Sequence, residues 1–171
     1  MSNLINTNHI LSIMVDNEPG VLARVVGLFS GRGYNIESLS VSEVDSDKFL
    51  SRVTIVTSGT KIIVDQIKAQ LKKLIPVHDL IDITELDSFI GKELILIKLN
   101  VKSITRKGFE DVIQKSRTDI LFDQGNEVII QFSGSPLEIR SLLKKLKPFK
   151  VIEQTRSGLV SMALGTKYIK K

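Results

Sequence analysis

The stretch His9-Ile10-Leu11-Ser12-Ile13-Met14-Val15, continued by Asp16-Asn17-Glu18-Pro19-Gly20 and then Val21-Leu22-Ala23-Arg24-Val25-Val26-Gly27-Leu28-Phe29, decides the reading of the fold. Its first seven residues form an apolar run of strand length, and the next five are turn chemistry, which predicts a buried strand halted at Asp16. Pro19 suits a first helical position, where its missing N–H would be unsatisfied anyway and its φ is already near the helical value. Leu22, Val25, Val26 and Phe29 then recur at i, i+3, i+4 and i+7, one apolar helix face. Gly31 and Gly33 end that helix.

Working outward, Tyr34 to Val44 reads as a strand, with Phe49 to Thr57 its hairpin partner across the polar turn Asp45-Ser46-Asp47-Lys48. Ile63, Ile67, Leu71 and Leu74 repeat at helical spacing, and Pro76 closes this second helix. Val77 to Leu86 supplies a fourth strand. The order is βαββαβ, and the second half repeats it. There, Leu94 to Val101 is a strand, and Phe109 to Ser116 a short helix. Asp119 to Phe122 and Glu127 to Phe132 flank the turn Asp123-Gln124-Gly125-Asn126. Pro136 opens a helix with the face Ile139, Leu142, Leu143 and Leu146. Lys150 to Gln154 closes the pattern, and Leu159 to Leu164 extends it after an Arg156-Ser157-Gly158 turn.

The expected fold class is therefore α+β. Two ferredoxin-like domains, 1–87 and 88–171, each carry a four-stranded antiparallel sheet with two helices on one face. The boundary falls near Asp87 to Lys92. Units of about 80 residues with one sheet face left open are small for independent stability, which predicts dimerisation through the sheets.

Composition bounds the chemistry. In 171 residues, 42% hydrophobic and 25% charged is ordinary globular material. No apolar run approaches the ~18 residues of a membrane span. Met1 to Asn8 carries neither a basic nor an apolar leader pattern. The expected location is the cytoplasm, or a plastid stroma if the chain is plastid-encoded. With no cysteine there is no disulfide framework, thiolate nucleophile or Cys-type zinc site, and two histidines are too few for a metal cage. Charge is uneven. Residues 1–87 hold eight Lys/Arg against eleven Asp/Glu, a net of −3, and residues 88–171 hold sixteen against eight, a net of +8. A basic half invites an acidic partner or nucleic acid.

The segment Asp16 to Leu22 is the most informative candidate site. A strand that hands over to a helix N-terminus leaves backbone N–H groups beside the positive end of the helix dipole, a natural seat for a carboxylate. Gly20 lets a ligand approach the backbone, and Asn17 offers a side-chain carbonyl to an ammonium group. A free amino acid has both charges. The plain alternative is a helix start with a polar cap. Asn35, in Gly33-Tyr34-Asn35-Ile36 at the far end of the same helix, could line a site across a dimer interface; its plain alternative is a strand start after a glycine turn.

Other candidates read more plainly. His9 and His78 are strand-end residues rather than ligands or bases. Asp16, Glu18, Glu37 and Glu43 sit among turns and solvent-facing positions, without the apolar surroundings that raise a carboxyl pKa. Ser30, Ser38, Ser40 and Ser42 lack a nucleophile elbow and a nearby histidine. No catalytic constellation and no metal site emerges. Lys144, Lys145, Lys147 and Lys150 cluster at a helix end, where lysine is favoured on dipole grounds. RNA binding is the weaker reading of that cluster. Aromatics are only 5% of the chain, and Phe49, Phe122 and Phe132 form no stacking pair of the kind a ferredoxin-like RNA reader uses.

At these residues the chain resembles the small, regulatory subunit family of acetolactate synthase. The likeness runs through His9 to Ile13, Asn17 to Ser30 and Arg32-Gly33-Tyr34-Asn35-Ile36-Glu37-Ser38-Leu39. It continues at Ser51 to Ile55, Gln66 to Leu74, Lys92 to Leu99 and Arg156-Ser157-Gly158. The resemblance implies an N-terminal ACT domain that binds effector and dimerises, a C-terminal ferredoxin-like domain and no catalysis by this chain. It implies a catalytic large subunit as partner, and that partner would carry the thiamine diphosphate, FAD and magnesium. It further implies that this chain raises the partner's activity and confers feedback inhibition by valine or another branched-chain amino acid. Carried over by position, Asn17, Gly20, Val21 and Leu22 would hold the effector's carboxylate and ammonium, and Asn35 and Ile36 of a neighbouring ACT domain would complete the pocket. The alternative is an ACT-type amino-acid sensor acting on another enzyme or on transcription. Met162-Ala163-Leu164-Gly165 departs from the Arg-Gly ending usual in the family, so no role is carried over to the extreme C-terminus.

Overall fold

The computed structural model describes residues 6–170, so Met1 to Ile5, on which much of the leader reading falls, lie outside it. The chain forms two compact units: one runs to Ile90 and takes in the segment from Leu159 onward, and the other is Gly91–Gly158.

The first unit is built from β1 (Thr7–Asp16), α1 (Val21–Ser30), β2 (Ser38–Asp45), β3 (Leu50–Gly59), α2 (Lys61–Leu71) and β4 (Val77–Asp82). Its sheet order is β2-β3-β1-β4, with every neighbouring pair antiparallel. β1 is central, and alternation puts Leu11, Ile13 and Val15 on the helix side. There they pack with Val21, Val25 and Phe29 of α1 and with Val64, Ile67 and Leu71 of α2. Burying an aliphatic side chain of this size contributes about 1.5–3 kcal/mol, so this one layer dominates the unit's stability. The other side of β1 is buried as well: Ile10, Ser12 and Met14 are 8%, 0% and 2% exposed.

That second burial corrects the expectation of an open sheet face. Leu159 and Ala163 pack with Ile10 and Ile83, and the amide of Leu159 donates to the Ser38 hydroxyl at 3.1 Å. The segment expected to prolong the closing strand is a separate short strand, β9 (Val160–Ala163), which pairs with β5 (Phe89–Asn100). Gly158, at φ +80, turns the chain away from the preceding strand. Residues 159–170 thus serve the first unit, where the sequence reading placed them in a domain 88–171.

The second unit repeats the plan with β5, α3 (Arg106–Ser116), β6 (Asp119–Gln124), β7 (Glu127–Gly134), α4 (Pro136–Leu146) and β8 (Lys150–Arg156), in the order β6-β7-β5-β8. Ile95, Ile97 and Leu99 of β5 pack with Phe109, Val128, Ile130, Ile139, Leu142 and Leu146. Both halves are therefore ferredoxin-like, as the pattern predicted. Among the described residues no helix is long and apolar enough to cross a membrane.

Candidate functional site

The corner between β1 and α1 is held through its main chain. The Asp16 amide donates to the Pro76 carbonyl at 3.0 Å, and the Asn17 amide donates to the Phe49 carbonyl at 2.6 Å. The turns ahead of β4 and β3 therefore brace it from two sides. Gly20 then occupies the N-cap of α1 at φ +84, a left-handed conformation that favours glycine, and no side chain caps the helix. Val21 faces inward, 3% exposed, and its amide donates to the Glu18 carbonyl at 3.3 Å. The amides of Leu22 and Ala23, in the first turn, have no hydrogen-bond partner among the described residues. Leu22, Ala23, Asn17 and Gly20 are all exposed. The result is two unpaired donors at the positive end of a ten-residue helix, five and six residues after exposed Asn17.

Asn35 and Ile36 lie at the other end of α1. Asn35 is exposed, its carbonyl accepting from the Thr57 hydroxyl at 2.7 Å, and Ile36 is half-buried against the first core. A ten-residue helix is about 15 Å long, so within one chain the two ends do not meet. β2 begins at Ser38 rather than Tyr34. Tyr34 instead returns its amide to the Phe29 carbonyl at 2.9 Å and sets its ring edge-on to Phe29 at 6.4 Å, so the chain joins β3 only from Glu37, whose amide donates to the Val56 carbonyl at 2.8 Å. Two partners of the corner, Phe49 and Pro76, were not legible as such. Pro76 showed only a helix end, and nothing marked Phe49, which adopts φ +51 although it is not glycine.

The histidines have structural partners. Nδ1 of buried His9 lies 2.8 Å from Asp82, whose other oxygen accepts from the Thr84 amide and hydroxyl. His78 meets Asp16 at 2.5 Å on the surface. Beside Asp82 runs a charged cluster on α2, in which Lys68 reaches Asp65 and Glu85, each at 2.8 Å, and Asp82 at 4.0 Å. The hydrogen bond from Lys68 holds the carboxyls of Asp65 and Glu85 below their usual range. Burial alone would lower the Lys68 ammonium, but its bonds to these two carboxylates outweigh that and raise it. Among the described residues no group of three or more His, Asp or Glu is arranged as a metal site. Lys144, Lys145, Lys147 and Lys150 are all exposed, the first two in the last turn of α4.

Residues 11–79 match a family model described as an acetohydroxyacid synthase (AHAS) small subunit-like ACT domain, and residues 92–165 one described as the small subunit of acetolactate synthase. Over 161 residues the chain is 38% identical to the acetolactate synthase small subunit of Mycobacterium leprae, which spans 94% of each chain. It is 36% identical over 159 residues to a probable acetolactate synthase small subunit of Archaeoglobus fulgidus, 93% of this chain and 98% of that one. The crystal structure of the acetolactate synthase small subunit from Thermotoga maritima superposes with a TM-score of 0.84 at 29% identity, over 94% of this chain and 99% of that one.

Proposed function

The chain belongs to the acetolactate synthase small-subunit family, and from that premise and the geometry of the β1–α1 corner we propose that it is a regulatory subunit that binds valine. In this reading it carries no catalysis of its own. It raises the activity of a catalytic large subunit and makes that activity subject to feedback inhibition by valine or a related branched-chain amino acid. Thiamine diphosphate, FAD and magnesium are then groups of the catalytic partner. The observation that supports the reading is the pair of unpartnered amides, Leu22 and Ala23, next to left-handed Gly20 and exposed Asn17.

The proposed mechanism follows from charge and length. The effector's carboxylate takes the two amides, and its ammonium takes the Asn17 side-chain carbonyl. The branched side chain is left facing outward, where Asn35 and Ile36 of a second copy close over it. A homodimer is thus part of the site, because one chain holds these two groups about a helix length apart. Valine then favours one dimer geometry over another, and a coupling of about 1–3 kcal/mol to the catalytic partner would change apparent affinities roughly 5- to 150-fold.

Calorimetric titration of the full chain with valine tests this. Saturable binding that Asn17→Ala weakens is expected, together with valine inhibition of the reconstituted enzyme that the same variant relieves while activation persists. Saturable binding unaffected by Asn17→Ala would place the effector elsewhere, and no binding of any branched-chain amino acid would remove the proposal.

A further inference from the structure

We propose that the first unit carries a second small-molecule site, on the sheet face opposite its helices, for an aliphatic monocarboxylate that lacks an ammonium group. A cavity of about 220 Å³ lies there. At ~10–15 Å³ of such space for each water it has room for a compact branched acid. Met14, Ile81 and Ile83 wall it on the sheet side, and Ala163 and Ile169 on the side of the C-terminal segment.

Two cations line the same cavity, Arg52 and Lys167, and no aspartate or glutamate does. The Arg52 guanidinium is partly buried, and its partners are neutral: the Ser12 hydroxyl at 2.8 Å and the Ser161 carbonyl at 2.7 Å. Among the described residues neither Arg52 nor Lys167 has an anionic partner, and Lys167 makes no hydrogen bond. Burial pulls the Arg52 pKa down from its ordinary value, the mark of a cation withdrawn from water without a counter-charge. Such a group is costly unless an anion joins it. Its planar fork fits a carboxylate in bidentate fashion, and the apolar wall fits the aliphatic remainder.

The same lining selects against an amino acid. An ammonium here would meet two like charges and find no carboxylate acceptor, whereas the β1–α1 corner offers Asn17 for it. The wall contributed by residues 167–169 is strapped at both ends, by the Leu164 amide on the Ser88 carbonyl at 3.1 Å and the Lys170 amide on Asp79 at 2.8 Å. A ligand in the cavity therefore touches both the sheet and this strap.

Calorimetry on the full chain with isovalerate and isoamylamine is the test. Saturable isovalerate binding is expected, with none for isoamylamine. Arg52→Gln should weaken isovalerate roughly 10- to 100-fold, the range for loss of a charged hydrogen bond. If Arg52→Gln fails to fold, Ala163→Met, which fills the cavity, and Lys167→Gln, which is exposed, carry the test and should also weaken it. Asn17→Ala should leave isovalerate binding unchanged, which separates this site from the amino-acid corner. Absence of saturable isovalerate binding at millimolar concentration, equal binding of isoamylamine, or unchanged affinity in Ala163→Met would each overturn the proposal.

Discussion

The Phe49 carbonyl accepts the Asn17 amide at 2.6 Å, so the β1–α1 corner is positioned by main chain from the β2–β3 turn, without help from a side-chain cap. This leaves Gly20 to complete the turn at φ +84, with open space where a Cβ would stand. The cost of a side chain at Gly20 is therefore backbone cost alone, about 1–2 kcal/mol for an L residue in the left-handed region. Gly20→Ala should lower unfolding free energy by that amount, and Gly20→Asn by less, since Asn tolerates this conformation. Urea denaturation checks it: the midpoint should fall while the slope stays constant. An alanine variant as stable as the parent would show that the corner relaxes and does not present fixed donors.

If the effector site joins one copy's Asn17 to another's Asn35, the two halves can be damaged separately and recombined. Asn17→Ala and Asn35→Ala homodimers should each lose valine response. A two-fold dimer of one chain of each type has one intact and one doubly damaged site. Random mixing should then restore about a quarter of the sites. Calorimetric stoichiometry after co-refolding reads this directly. A site contained within a single chain would give no restoration at all.

Lys68 bonds Asp65 and Glu85 and lies 4.0 Å from buried Asp82. Both bonded carboxyls have folded values below their unfolded ones, so their stabilisation is complete above the usual carboxylate range and fades as pH falls through it. The Lys68 shift is upward; its contribution is present below the usual lysine range and fades as pH rises through the raised value. Lys68→Met should cost about 1–2 kcal/mol near pH 7. The loss should shrink in thermal melts toward pH 3 and again above pH 11. A deficit that stays constant with pH would mean that the variant disturbs packing instead.

How much of this was visible in advance depends on sequence distance. The α1 helix was legible because Gly20 and the spacing of Val25 and Phe29 are local signals, although Pro19, read as the first helical position, stands before the Gly20 cap and outside the helix. The start of β2 was misread because Tyr34 and Ile36 alternate as a strand would. What removes them is a ring contact and a returning amide on Phe29. The C-terminal segment was misassigned for a similar reason. Leu159 is apolar and follows a turn, which says that it packs but not where. Its hydrogen bond to Ser38 links residues 121 positions apart, and no periodicity encodes that. Arg52 drew no attention beyond the resemblance, since its unpaired burial exists only once Ser161 folds over it.

The α4 start pairs a hydroxyl with a carboxylate reciprocally. The Glu138 amide donates to Ser135 Oγ at 3.3 Å, and Glu138 Oε2 accepts the Ser135 amide at 2.6 Å, with Lys92 at 3.1 Å. The Ser135 amide, then the Ser135 hydroxyl and Lys92, bring the Glu138 carboxyl from 4.5 to about 2. Because the folded value is the lower one, this carboxylate stabilises the second unit fully above about pH 4.5, and the benefit is lost between there and about pH 2. Glu138→Gln should therefore melt below the parent at neutral pH, and the gap should close over that acidic window. Ser135→Ala removes the cap together with one of the bonds that lower the Glu138 carboxyl, so its cost, about 1 kcal/mol at neutral pH, should shrink over the same acidic window. In Lys92→Met the Glu138 carboxyl should still titrate well below its usual value by NMR, since the backbone amide is the larger cause. A return to the ordinary value in that variant would make the exposed ion pair, and not the capping geometry, the source of the shift.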